Sequence, residues 1–312
     1  MVLLHLFSDL FGAPQITFKD IDGVKAQAPE IIVWAAPFMF FFVLLEFGIS
    51  KYQNRKLYDN KETIASTLVG LGNVAVSAAL KLALFSIIIW FYNLIPWRMH
   101  FVWWTFIPCY IIFDFCSYWA HRISHQQRFW WATHVVHHSG EHYNLSVSFR
   151  LSWVQHIKII FFLPVALFGF HPNIFFVVNQ IAVLFQFWVH TEYIRKLHPA
   201  IEYIFATPSN HRVHHGSQEK YINKNYGASF IIWDRMFGTY QPEEEQVEYG
   251  ITTSLEDKSN PIYINFHEYI DMWKDIRGTR SLRKKFFYIF GDPILIAREK
   301  KESGIGAKNE PA

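Results

Sequence analysis

Residues 31–49 and 71–95 carry no charge except Glu46 in the first run and Lys81 in the second. An apolar helix of about 20 residues spans the hydrocarbon core of a bilayer, where every backbone N–H and C=O must find its partner inside the segment. Both runs therefore predict spanning helices and commit the chain to a helical bundle. Residues 101–119 form a third candidate, with Pro108 as a kink and Asp114 as its one charge. Residues 157–190 are a long apolar stretch broken at Gly169, His171 and Pro172. Each half is short for a full crossing, so this stretch is either a pair of tilted helices or a re-entrant hairpin. The expected fold is an all-α integral membrane protein with about four to five transmembrane or re-entrant helices.

Basic residues in short loops set the orientation. Lys51, Arg55, Lys56 and Lys61 follow the first helix, whereas the next loop holds only Arg98. The positive-inside rule places residues 51–62 in the cytoplasm. Counting crossings from there, the chain returns near Trp119, passes again through 157–189 and ends cytoplasmic. Trp97, Trp103 and Trp104 then sit at the outer interface and Trp130 and Trp131 near the inner one, where amphipathic rings are favoured.

Thirteen of the sixteen histidines lie between positions 121 and 215, a clustering that chance satisfaction of lone histidines does not produce. Nine of them group as His121 and His125 in HRISH, His134, His137 and His138 in HVVHH, a lone His190, and His211, His214 and His215 in HRVHH. Imidazoles at i and i+4, or at i, i+3 and i+4, project from one side of a helix, so each group can aim two or three nitrogens at a common point. All of them fall on the cytoplasmic side, while His100 and His171 fall on the far side. A structural zinc needs four ligands, whereas two catalytic metals with open positions use eight or nine. The expectation is a cytosolic helical cap holding a histidine-rich dimetal site. His190 closes an apolar helix, with an interfacial snorkel as its alternative reading. His142 lies past the Ser139-Gly140 break, His156 and His198 read as interfacial or loop residues, and His5 and His267 are isolated; none is expected to be a ligand.

Asp114, Tyr118, His121 and His125 are spaced by four, three and four, which makes one helical stripe. A carboxylate in an apolar helix needs a partner, and a metal-ligating histidine wants an acceptor for its second N–H. Asp114 is therefore predicted as that acceptor; the alternative is a satisfied carboxylate without functional role. Cys109 and Cys116 lack CxxC spacing and read as packing residues.

Imidazole suits iron, copper, nickel and zinc alike. A metal pair beside the bilayer can receive an acyl or alkyl chain, and oxidising an unactivated C–H bond needs an oxidant that side chains cannot supply, so iron with O2 follows. A transporter would string its histidines along the spanning helices. A metal-binding protein without catalysis would need fewer ligands.

The segments DFCSYWAHRISH, HVVHHSGEHYNLSVSFR, FQFWVHTEY and HRVHHGSQEKYINKNYGASFIIWDRMFGTY resemble the fatty acid hydroxylase and sterol desaturase superfamily of membrane di-iron enzymes, over about residues 110–242. Within it they are most similar to the branch that cleaves alkylglycerol ether lipids. The resemblance implies an O2-dependent oxygenase with two Fe ions on His121, His125, His134, His137, His138, His190, His211, His214 and His215. It further implies a long-chain lipid substrate and an electron donor, either tetrahydrobiopterin or a redox protein. The carbon beside the ether oxygen would be hydroxylated, and the hemiacetal would collapse to a fatty aldehyde and a glycerol derivative. The alternative within the family is a fatty acid, sterol or carotenoid hydroxylase or desaturase served by a protein donor. One departure is Gln126, where the branch has an acidic residue after HxxxH. Purified protein is expected to take up zinc as well, since zinc outranks ferrous iron for such ligands. The resemblance places residues 223–240 against the site, through Asn225.

The organisation expected is an N-terminal segment 1–28, the oxygenase domain 29–242 and a cytosolic segment 243–312. Glu243, Glu244, Glu245 and Glu248 read as a solvated surface, RSLRKKFFY at 280–288 as an interfacial helix on anionic membrane lipid or a soluble amphipathic helix, and 299–312 as a disordered tail. A formal charge of +3 and the lack of any GxGxxG or P-loop argue against nucleic-acid and nucleotide partners. Residues 1–12 lack a basic start and a long apolar core, so no cleavable signal is expected. The membrane would be the bacterial inner membrane or the endoplasmic reticulum.

Overall fold

The computed structural model describes residues 10–252 and 255–302. Among them there is no β-strand, only isolated bridges pairing Phe11 with Met99 and Phe205 with Phe230. His5 lies outside the described residues. Four long helices build the bundle: α1 (Ile31–Tyr52), α2 (Asn60–Asn93), α3 (Phe106–Gln126) and α4 (Pro172–Val189). Of these, α1, α2 and α4 are long and apolar enough to cross a membrane. Only 11% of the α1 window and 17% of the α2 window is buried in protein, and Trp34, Phe38 and Leu71 are mostly exposed. Apolar surface on that scale is stable only under lipid, so the chain is a membrane protein.

Asp59 caps α2 by accepting from the Glu62 amide at 2.9 Å. At 34 residues α2 is about 50 Å long, well beyond a hydrocarbon core of about 30 Å. Its N-terminal turns overhang and become a post for the cap: Ala65 and Val69 pack with Val136, Leu255 and Ile264. Gly72 makes close approach possible there, since a Cβ would lie 2.4 Å from the Trp153 ring. The indole crosses α2 at that point and donates to the Val69 carbonyl at 2.8 Å.

The third predicted span begins at Phe106, so Pro108 lies in its first turn, where a missing N–H removes no helical bond. The kink expected from Pro108 is thus replaced by a helix start. The stretch after residue 154 descends as a 3-10 helix (Gln155–Phe162) and a short α-helix (Leu163–Leu167), turns, and returns as α4. A 3-10 rise of about 2.0 Å per residue lets those thirteen residues travel about 24 Å, nearly the length of α4. The turn reaches the loop between α2 and α3, where the Met99 amide donates to the Gly169 carbonyl at 2.8 Å. Gly169 has φ +93 there, and a Cβ would meet the Trp97 carbonyl. The broken stretch is therefore a pair of antiparallel segments running between the two ends of the bundle.

Inside a bilayer helices associate by packing more than by water exclusion. Cys109, Phe113 and Cys116 of α3 meet Val165, Ile174, Phe175, Val178 and Ala182 in one buried cluster. Both cysteines are free and buried, as packing residues should be. Beyond residue 243 two expectations change. Glu243 is drawn into a two-oxygen pair with Arg212, at 2.7 and 2.9 Å, because that buried guanidinium needs a carboxylate. Residues 299–302 end a helix, Pro293–Glu302, and are ordered; the rest of the expected tail lies outside the described residues. The RSLRKKFFY segment does form a helix, Leu282–Phe290, with Leu282 and Phe286 exposed.

Candidate metal centre

The nine predicted histidines come together at one end of the bundle, where α1, α3 and α4 finish and α2 begins. They form two sets: His121, His125, His134, His138 and His214, and His137, His190, His211 and His215. Within each set one ring nitrogen per residue lies within 4.8 Å of all the others, so each set can hold a metal ion. The sequence groups do not map onto the sets. Each i,i+4 pair, His121/His125, His134/His138 and His211/His215, serves one set, while the intervening His137 and His214 cross to the other. His134 caps a four-residue helix, Val135–His138, and His211 and His214 lie on another short helix, Pro208–His214.

Backbone carbonyls orient the rings. His121 Nδ1–H donates to the Tyr226 carbonyl at 2.8 Å, His190 to Gln186 at 2.6 Å and His214 to Lys224 at 3.0 Å. A ring that donates from Nδ1 presents a bare Nε2 lone pair. His190 Nε2 faces His137 Nε2 at 3.1 Å and His211 Nε2 at 3.0 Å, and His138 Nε2 faces His134 at 3.3 Å and His214 at 3.0 Å. The buried Nε2 atoms of His121, His125 and His215 and Nδ1 atoms of His137 and His211 have no hydrogen-bond partner. Ring-to-ring hydrogen bonds cannot satisfy all these converging nitrogens, whereas cations accepting their lone pairs can, so the donor set fits a pair of metal ions. Burial holds His134, His137, His138, His211 and His215 well below the ordinary histidine value, and brings His214 down to about 4. All six stay neutral near pH 7, the form that binds metal.

Two predicted helpers act elsewhere. Asp114 reaches no histidine: its oxygens accept from the Ser229 amide at 2.8 Å, the Phe230 amide at 3.1 Å and Trp233 Nε1 at 2.9 Å. Spacing placed it on the right stripe, but about two helical turns below His121 its donors belong to the 229–233 segment. Asn225 has φ +56, and its side chain donates to the Asn210 and Gln241 carbonyls and accepts from the Gln241 amide. With its amide taken up by backbone, it positions the segment and does not face the histidines. The 223–240 segment does lie against the site, through the Tyr226 and Lys224 carbonyls. The histidines set aside stay outside both sets: His142 pairs with Glu62 at 2.8 Å, His156 meets Ser77 Oγ, His198 caps a helix and His267 bonds the Ile264 carbonyl.

Several supporting residues gave no separate signal in sequence. Buried Glu46 on α1 accepts from Tyr58, the Leu145 amide and Thr191 next to His190. Fully buried Arg150 donates to the Val136 carbonyl at 3.0 Å and to Ser139 Oγ, bracing the end of the helix that carries His137 and His138. Arg212, set within HRVHH, ties the Thr191 and Ile194 carbonyls to its own helix. A lone acidic residue in an apolar run was the one visible hint, for Glu46.

Two sets of converging imidazoles at the end of a membrane helix bundle define a histidine-rich membrane metal site. Residues 106–239 match the fatty acid hydroxylase family model and span all nine histidines. The chain is similar to alkylglycerol monooxygenase of Homo sapiens, 37% identical over 276 residues, covering 86% of this chain and 60% of that protein. It is similar to alkylglycerol monooxygenase of Xenopus tropicalis, 35% identical over 286 residues, covering 89% of this chain and 62% of that one. A more distant likeness is to ornithine lipid hydroxylase OlsE of Rhizobium tropici, 28% identical over 46% of this chain and 44% of that protein. The chain spans about 60% of the length of the alkylglycerol monooxygenases it matches. No solved structure matches it.

Proposed function

We propose that the chain is a membrane di-iron monooxygenase that cleaves alkylglycerol ethers. The observation that carries this reading is the pair of converging histidine sets, one of them buried throughout, at the end of an apolar bundle. Similarity to alkylglycerol monooxygenases over 86% of the chain narrows the substrate. His121, His125, His134, His138 and His214 would hold one iron, and His137, His190, His211 and His215 the other. Iron bound there supplies the O2 activation that side chains lack.

The chain's own groups do the rest. The Tyr226, Gln186 and Lys224 carbonyls hold three rings in the tautomer that frees Nε2, and the set of His137, His190, His211 and His215 is buried throughout. With no carboxylate in either set, the centre keeps more positive charge than one built on Glu-x-x-His. The lipid-facing surfaces of α1 and α4 give a long alkyl chain an approach from the bilayer. The overall balance is one ether C–H, one O2, two electrons and two protons to one C–OH and one water. The hemiacetal then breaks its C–O bond to give an aldehyde and an alcohol. The oxygenase domain is 29–242, and the basic loop of Lys51, Arg55, Lys56 and Lys61 puts the site on the cytoplasmic side of a bacterial inner membrane or the endoplasmic reticulum.

The test offers iron-loaded protein an alkylglycerol with tetrahydrobiopterin under 18O2, and traps the aldehyde for mass analysis. Labelled aldehyde is expected, and His137→Ala should abolish it while the protein stays inserted. Retained turnover in several single-histidine variants would remove these residues from the metal site. Gln126 supports a second reading, hydroxylation of another lipid chain with a protein donor; a fatty acid and a protein reductant in the same assay would then give the product instead.

A further inference from the structure

A polar cavity of about 710 Å3 opens on the histidine-bearing end of the protein, lined among others by Lys56, Tyr143, Glu192, Arg195 and Tyr249. No histidine of either set lines it. What separates them is Tyr143, which is buried, stacks on Tyr249 with ring centroids 4.8 Å apart and planes at 11°, and lies 5.2 Å from the His215 ring and 5.7 Å from the His190 ring. Its hydroxyl donates to the Val189 carbonyl at 2.9 Å, which locks the ring in that position.

That separation decides what the cavity can hold. A substrate carbon must touch the reacting centre, and an aromatic ring stands in its way. An electron need not touch, since one stacked tyrosine is a short distance to cross. Volume decides the size class: small-molecule sites measure about 300–1,000 Å3 and are concave, whereas a redox protein docks on a broad face. The lining decides the chemistry. Lys56 and Arg195 meet no carboxylate among the described residues, and Glu192 accepts from Tyr249 through Oε1 alone. Free cations beside a free carboxylate oxygen match a ring edge with both carbonyl acceptors and amino donors.

We propose that this cavity, walled from the histidines by Tyr143, is the docking site for a small water-soluble reduced heterocycle of the tetrahydropterin class. The inference rests on the oxygenase reading, which needs two electrons per O2. The donor loses two electrons and two protons on becoming the dihydropterin; these, with O2 and one C–H, give one C–OH and one water. Glu192 accepts from the amino edge, and Arg195 and Lys56 donate to the ring carbonyl and side-chain hydroxyls.

The experiment titrates tetrahydrobiopterin into the full-length iron-loaded protein under nitrogen, by calorimetry, alongside Glu192→Gln, Arg195→Glu and His137→Ala. Both cavity variants should weaken binding at least tenfold and raise KM for tetrahydrobiopterin, with metal content and KM for the lipid unchanged. His137→Ala should still bind it. Equal affinity in wild type and both cavity variants overturns the assignment. So does no binding at all with turnover sustained by a protein reductant, which would leave the oxygenase reading standing. Pterin binding that follows the cavity residues without any lipid oxidation would instead sink the function and keep the site.

Discussion

Replacing Asp114 separates its structural role from a metal-side one. In Asp114→Ala three donors, the Ser229 and Phe230 amides and Trp233 Nε1, lose their acceptor in a site that is fully buried. Each buried donor left unsatisfied costs about 1–3 kcal/mol, and the variant regains a few kcal/mol because the carboxylate no longer has to be desolvated. The net loss is about 3 kcal/mol, equivalent to a melting shift on the order of 5 to 10 °C for a chain of this size. Asp114→Asn keeps one acceptor oxygen, so it should fall about halfway. Thermal unfolding in detergent by tryptophan fluorescence reads the stability, and plasma mass spectrometry reads metal per folded chain. The expected pattern is a lower melting temperature with two metals per folded chain retained. An unchanged melting temperature with metal content halved would refute the assignment and return Asp114 to the metal side.

Glu62 holds His142 at 2.8 Å, and that hydrogen bond, with the charges of Glu62, Asp59 and Glu141, raises the His142 pKa against the opposing effect of burial. A raised folded value means stability fully present below the unfolded value of about 6.5 and lost as pH rises through the folded value. Melting curves between pH 5.5 and about 9 should show this loss in wild type and not in His142→Gln; identical profiles would contradict the pairing. Gly72→Ala should destabilise by about 1–2 kcal/mol, because displacing the Trp153 ring outweighs the helix propensity that alanine gains, and a Tm equal to or above wild type would mean the ring moves freely.

The histidine set and the helical class were legible because ligation needs a residue type at a helical spacing and a bilayer needs long uncharged runs. Both are local patterns. What was not legible depends on where the chain turns. His137 and His214 were expected to serve with their sequence neighbours, yet each stands at i+3 inside an i,i+4 pair and turns to the opposite set. Asp114 sits on the predicted stripe but answers to Ser229, Phe230 and Trp233, residues 115 or more positions away that no spacing rule connects. Pro108 marked a helix start because the preceding residues 103–105 form a 3-10 turn. Arg150 and Arg212 carry no signal in spacing; only folded contacts make them braces.

The crossing-over of His137 and His214 has a consequence for how the protein matures. Since the 134–138 segment and the 211–215 segment each contribute to both halves of the centre, filling one half already fixes most of what the other requires. Half-occupied protein should therefore be scarce at equilibrium, and maturation should look all-or-none, a single uptake event for a pair of ions.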